Sequence, residues 1–139
     1  MEPTGKRVEF LKYACAQLGL TGVEFAKERA EEAARKVWRE QFDLASARAV
    51  AALPMLAEYC LPLVKVGGSF IALKGSKYQE EIAVGGKALS ILGGKLVSAE
   101  AVKLPGLDDG RAIVKIAKIK TTPKAYPRKA GLPEKQPLE

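Results

Sequence analysis

Residues 42–73, FDLASARAVAALPMLAEYCLPLVKVGGSFIAL, decide the fold. Phe42 to Ser46 reads as a strand, and Ala51 to Leu63 as a mostly apolar helix that tolerates Pro54 in its first turn. Lys65-Val66-Gly67-Gly68 then turns the chain into Ser69 to Leu73, a run so apolar that it reads as buried on both faces. This strand–helix–strand order belongs to the alternation of a largely parallel sheet with helices on both faces.

The pattern continues outward on both sides. Upstream, Val8, Leu11, Cys15 and Leu18 recur at helical spacing, with Thr4 as N-cap and Gly19 as stop, which predicts a helix over Thr4 to Leu18. Val23 to Phe25 is expected as a short strand and Glu28 to Arg39 as a helix with an acidic start and a basic end. Downstream, Lys77 to Leu92 is predicted helical and stopped by Gly93-Gly94. Two last strands, Lys95 to Leu104 and Arg111 to Ile119, are joined by a Pro-Gly-Leu-Asp-Asp-Gly loop suited to a hairpin. The expected fold is a doubly wound α/β layer structure with a mostly parallel sheet and an antiparallel C-terminal hairpin. Such domains open with a strand and a Gly-rich turn, whereas this sequence starts at the end of what should be the second strand, so an N-terminally truncated domain is expected. Four prolines after Ile119 (Pro123, Pro127, Pro133, Pro137) predict an extended arm, giving a domain over 1–119 and a basic Pro-rich arm over 120–139.

Composition narrows the chemistry. The 139 residues contain no histidine, which excludes Ser-His and Cys-His hydrolases and removes the commonest metal ligand. Cys15 and Cys60 are far apart, with no spacing that suits a disulfide framework or a thiolate metal site, and are expected as small core residues; no metal is expected. No leader or membrane span is legible, since Leu53 to Val66 is interrupted by Pro54, Glu58, Pro62 and Lys65, so cytoplasmic residence is expected. The net charge of +7 is concentrated at the end: from Lys115 onward seven basic residues face Glu134 and Glu139. That segment either solvates the protein or contacts nucleic acid.

In open α/β sheets ligands bind beyond the carboxyl ends of the strands. That rule selects Glu2, Ala26 to Glu31, Ala47, Arg48, Lys74 and Gly75. A carboxylate in the position of Glu2 can accept hydrogen bonds from both ribose hydroxyls, or be a solvated surface group. Arg48 requires a carboxylate or phosphate, which an intramolecular salt bridge would also supply. Glu31 and Glu32 suit the first turn of a helix, which accounts for Glu32 and leaves Glu31 open; Lys74 snorkels to solvent or meets an anion.

Several of these residues lie in longer motifs. Glu2 to Leu11, Arg29-Ala30-Glu31, Ser46 to Val50, Pro62 to Gly68, Leu73-Lys74-Gly75 and Tyr126 to Pro133 resemble the RsmG (GidB) family of bacterial small-subunit rRNA methyltransferases. The resemblance covers essentially the whole chain and implies a Rossmann-like class I methyltransferase fold. It implies S-adenosylmethionine (S-adenosyl-L-methionine) as cofactor, held by Glu2, Pro3, Thr4, Ala30, Glu31 and Arg48, and guanine N7 of 16S rRNA as methyl acceptor. The RNA, free or in a small ribosomal subunit particle, would be met by Lys74, Lys124, Arg128 and Lys129 of a monomer. No general base is expected, because N7 carries a free lone pair. The absence of the Asn/Asp-Pro-Pro-aromatic motif of exocyclic-amine methyltransferases, where Ala45 to Arg48 stand instead, agrees. Two features depart from the family: its N-terminal helices and Gly-rich loop are missing, and Glu2 stands where aspartate is common. The alternatives are a non-catalytic RNA- or ribosome-binding module and, third, a small-molecule methyltransferase.

Overall fold

The computed structural model describes residues 1–48, 50–106 and 109–138. Its elements are α1 (Gly5–Gln17), α2 (Ala30–Ala33), β1 (Phe42–Arg48), α3 (Leu53–Cys60), a 3-10 turn (Leu61–Leu63), β2 (Val64–Lys74), α4 (Tyr78–Leu92), β3 (Gly94–Ala101), β4 (Ala112–Lys118) and α5 (Leu132–Lys135). Among the described residues the strands form one sheet in the order β1-β2-β4-β3. β1 runs parallel to β2, with Ala45 opposite Phe70 and Arg48 opposite Leu73, and α3 is the crossover between them. β4 pairs antiparallel with both β2 and β3, which is the expected hairpin edge.

α3 and α4 cover one face of this sheet. Leu53, Leu56, Ala57 and Leu61 meet Phe70 and Ala72 of β2, Val114 and Ile116 of β4, and Ala88 and Leu92 of α4, all nearly solvent-free. Burying each large side chain of this kind contributes about 1.5–3 kcal/mol. Gly68 permits the β1–β2 approach, because a Cβ there would lie 2.5 Å from the Asp43 carbonyl oxygen. Gly93 caps α4 at φ +85, and a side chain there would run into the Lys120 carbonyl.

The structure corrects several element expectations. Val23 to Phe25 forms no strand, because β1 is the sheet's outermost strand among the described residues and its outer edge pairs with nothing that would bring this segment into register. The helix expected over Glu28 to Arg39 shrinks to Ala30–Ala33. Beyond it the chain makes tight turns, with Arg35, Lys36 and Arg39 each donating to the carbonyl three residues back. The strand expected over Ser69 to Leu73 is longer, Val64–Lys74: Val64 already lies opposite Phe42, and the chain bulges through Gly67, at φ +88, before pairing resumes with Ser69 opposite Leu44. The C-terminal arm is not wholly extended: Leu132–Lys135 is helical, with Pro133 in the first turn where no amide hydrogen is needed. The hairpin loop is described only to Gly106 and from Asp109; Leu107 and Asp108 of that loop, like Ala49 of the Ser46 to Val50 motif, lie outside the described residues.

The arm is strapped to the domain by buried charge. Lys118 is fully buried, and its Nζ donates to the Leu61 carbonyl (2.6 Å) and to Thr122 Oγ1 (2.7 Å) while pairing with Glu40 at 3.1 Å. Thr122 passes the network on, its hydroxyl donating to Leu92 O and its amide to Glu40. Arg39 donates to the carbonyls of Thr122, Pro123 and Tyr126. Further along, Arg128 grips the fully buried Glu58 of α3 through its amide (2.7 Å) and its guanidinium (2.6–3.1 Å).

The strap sets two expectations for stability. Arg128→Ala leaves the Glu58 carboxylate buried and unpaired and should cost about 3–5 kcal/mol in urea unfolding, whereas Glu58→Leu combined with Arg128→Met should recover most of it. Burial disfavours the Glu40 charge, but the Thr122 amide and Lys118 outweigh it and hold this carboxyl below the ordinary range. Its stabilisation is present above the unfolded glutamate pKa and lost as pH falls through the depressed folded value, so Glu40→Gln should flatten the acid limb of stability against pH.

Candidate functional site

Along β1, from Phe42 to Arg48 at its carboxyl end, the chain forms an open cavity of about 680 Å³, and Glu2, Pro3, Thr4, Ala30, Glu31 and Arg48 all line it. Three separate segments converge there. Glu2 is held by its amide, which donates to Ala26 O at 3.0 Å, and its Oε1 accepts the Thr4 amide at 2.9 Å. The Thr4 amide hydrogen bond lowers the Glu2 pKa; desolvation opposes it, and Arg7 (3.7 Å) adds a lesser lowering. Glu2 is therefore an ionised acceptor with lone pairs to spare.

Glu31 enters from the first turn of α2 and is only 4% exposed. Arg29 lies 3.9 Å from its Oε1. Glu32, one residue on, is exposed and does what an acidic residue at a helix start does. Arg48 closes the set from the last position of β1, exposed, with no carboxylate within ion-pair distance among the described residues. The intramolecular salt bridge that Arg48 could have formed is thus not made among the described residues. A fixed carboxylate, a second and buried carboxylate, and a free guanidinium around one cavity fit a ligand bearing hydroxyls, an amine-rich ring and an anionic end.

The apolar wall of the cavity includes Phe42, Leu44, Leu56, Tyr59 and Cys60. Burial pushes the Cys60 thiol up to about 12, so it is no nucleophile. Burial also raises the Tyr59 hydroxyl, with Glu31, Glu134 and Glu58 adding to the effect. Glu134 belongs to α5, so the arm reaches the neighbourhood of the cavity wall.

The four residues expected to meet RNA are not gathered in this way. Lys74 is tied down: its Nζ donates to Ala51 O (2.8 Å) and pairs with Glu81 (2.6 Å), whose same oxygen accepts the Leu53 amide at the start of α3. Arg128 is taken by Glu58. Lys124 and Lys129 stand on the arm, Lys124 and Lys129 both exposed. Glu58, Glu81 and Lys118, which organise these contacts, were not among the expected functional residues. The signal for Lys118 was present, since it continues the inward alternation Ala112, Val114, Ile116 of β4.

Residues 1–109 match the family described as GidB, rRNA small subunit methyltransferase G. The chain belongs to the GidB family. A GidB relative from Levilactobacillus brevis, named ribosomal RNA small subunit methyltransferase G, is 55% identical over the whole of this chain, which spans 58% of that relative's length. The fold is that of rRNA methylases: a Streptococcus thermophilus rRNA methylase superposes with TM-score 0.60 at 15% identity, over 86% of this chain and 71% of that one. A T. thermophilus 16S rRNA methyltransferase, solved in complex with AdoMet and guanosine, gives TM-score 0.50 at 15% identity, over 80% of this chain and 28% of that one. The GidB chain is thus a Rossmann-like α/β methyltransferase fold. Among its described residues no helix is long and apolar enough to cross a membrane, and no three Cys, Asp or Glu side chains gather as a metal site.

The two thiols offer a check on this packing. Under native conditions iodoacetamide should modify the half-buried Cys15 well before Cys60, as read by peptide mass spectrometry; equal rates would mean that α3 is not seated as described.

Proposed function

We propose that this chain carries the cofactor-binding part of an S-adenosylmethionine-dependent methyltransferase acting on guanine N7 of 16S rRNA. The observation that carries it is the convergence of Glu2, Thr4, Ala30, Glu31 and Arg48 on one cavity at the carboxyl end of a parallel strand. Glu2, held ionised, accepts the ribose hydroxyls. Ala30 offers backbone to the adenine with Glu31 beside it, and Arg48, without an ion-pair partner among the described residues, answers the carboxylate of the methionine end. The cofactor supplies a methyl group on a sulfonium sulfur. Guanine N7 has no proton to lose, so the chain needs to orient and desolvate the reactants rather than to act as base, and proximity accounts for the rate.

RNA phosphates are met by the exposed Lys124 and Lys129 on the 120–139 arm, while Lys74 and Arg128 serve by fixing the end of β2 and the arm to the 1–119 domain. The partner is 16S rRNA or a small-subunit particle in the cytoplasm, and one copy of the chain supplies every residue named. The opening of the cavity along β1 favours a second reading, a non-catalytic RNA- or ribosome-binding module.

Calorimetry separates the two. S-adenosylmethionine should bind, and Arg48→Ala should weaken it at least about tenfold, equivalent to about 1.4 kcal/mol. RNA binding without any cofactor binding would leave the module reading. Replacing Lys124 and Lys129 by alanine should reduce the dependence of log K on log salt by about 0.7–0.9 for each phosphate no longer neutralised; an unchanged slope would remove the arm from the RNA interface.

A further inference from the structure

Two walls of the cavity come from separate parts of the chain. Ala30 and Glu31 stand on α2, and Phe42 begins β1 after the turns that follow α2, whereas Leu56, Tyr59 and Cys60 stand on α3. Residues 122–128 of the C-terminal arm are clamped to both. Arg39, in the turns after α2, donates to the carbonyls of Thr122 and Tyr126 at 2.7 Å each and of Pro123 at 3.2 Å, while Glu40 accepts the Thr122 amide at 2.8 Å. At the far end the Arg128 amide and guanidinium hold Glu58 of α3, the residue before Tyr59. Between these clamps Pro123 and Pro127 fix φ at their positions, which stiffens the span.

Each clamp touches a cavity-lining side chain through an adjacent residue. Trp38, next to Arg39, stacks on Phe42 at 5.5 Å, and Phe42 lines the cavity. Glu58 directly precedes Tyr59, which lies within electrostatic reach of Glu31 on the other wall and of Glu134 on α5, both adding to the effect of burial on its hydroxyl. The backbone at the first clamp is unusual as well. Glu40 takes φ +50, a left-handed conformation that non-glycine residues seldom adopt, and its amide donates to the Pro62 carbonyl at 2.9 Å, just past the end of α3. Such a conformation persists where the surrounding contacts over-determine it.

We propose that Arg39 and Arg128 are positioning residues for the cavity: through them residues 122–128 brace its α2 wall against its α3 wall and set the separation of Glu31 from Tyr59. Neither arginine lines the cavity, so both act through the walls they hold. Arg39 suits the task because a planar guanidinium reaches several carbonyls at once, which the point charge of a lysine does not. The brace is a property of the free chain. Its consequence for affinity rests on the reading of the cavity as a cofactor site.

The test releases each clamp in the full chain: Arg39→Lys at one end, and Glu58→Leu with Arg128→Met at the other, a pair that leaves no buried charge unpaired. In the free chain, releasing the α3 clamp should shift the emission of Trp38, the sequence's single tryptophan, to the red and quicken hydrogen exchange at residues 30–34, on the opposite wall. The amides of residues 112–118 should keep their protection. In calorimetry either release should weaken S-adenosylhomocysteine binding at least about fivefold, the lower end of ordinary coupling between sites. Val114→Ala, in the core but outside the cavity, should lower stability and leave that affinity unchanged. Changes confined to the arm, with Trp38 and residues 30–34 unmoved, would overturn the brace. So would an affinity untouched by both releases, or one weakened equally by Val114→Ala. A starting chain that binds no S-adenosylhomocysteine would count against the cofactor reading instead, and the emission and exchange measurements would then decide the brace by themselves.

Discussion

Parallel pairing between β1 and β2 is the constraint from which the rest of this structure follows. Two parallel neighbours cannot be joined by a tight turn, so the chain between them must travel back along the sheet, and α3 does so. Because both strands point the same way, their carboxyl ends coincide, and the register that sets Arg48 beside Leu73 puts Arg48 and Lys74 on one rim. Lys74 is then neutralised by Glu81, while Arg48 meets no carboxylate among the described residues. The cavity exists at that rim, since Glu2 to Thr4 and the first turn of α2 are brought to it by the loops that precede the sheet.

Burying α3 between the sheet and the arm creates a second requirement. An apolar helix that carries Glu58 in its middle must find that carboxylate a partner, and the arm provides Arg128 seventy residues away. Lys118 poses the same problem from the sheet side and is answered by Glu40, Thr122 and the Leu61 carbonyl. Pairs of this kind are weak sources of net stability compared with apolar packing but costly to break, so they fix the path of the arm rather than strengthen the core. The basic C-terminus is therefore divided. Arg128 and Lys118 hold the arm in place, and Lys124 and Lys129 are presented on it.

The crossover unit and the hairpin were legible in the sequence because each is written locally, in apolar periodicity and glycine turns, and the rule of strand ends already singled out Glu2, Glu31 and Arg48, three residues that line the cavity. Arg48 could be placed from its strand alone, but whether it had a partner depended on the whole surface around it. Val23 to Phe25 reads as a strand by composition, yet a strand is made by its neighbour, and β1's outer edge offers none among the described residues. Arg128 and Lys74 read as free cations because the carboxylates that claim them sit on other elements. Lys118 marks the opposite case, where the two-residue alternation of β4 already pointed the charge inward.

The central claim is that Glu2 to Thr4, Ala30, Glu31 and Arg48 form one ligand site in this chain. The most direct measurement is a titration of the ¹⁵N-labelled chain with S-adenosylhomocysteine, followed by amide chemical shifts. Saturable shifts clustered at residues 2–4, 30–31 and 48 are predicted. Shifts confined to the shallow groove near Gly86, Leu89 and Leu96, or none at all, would contradict the account.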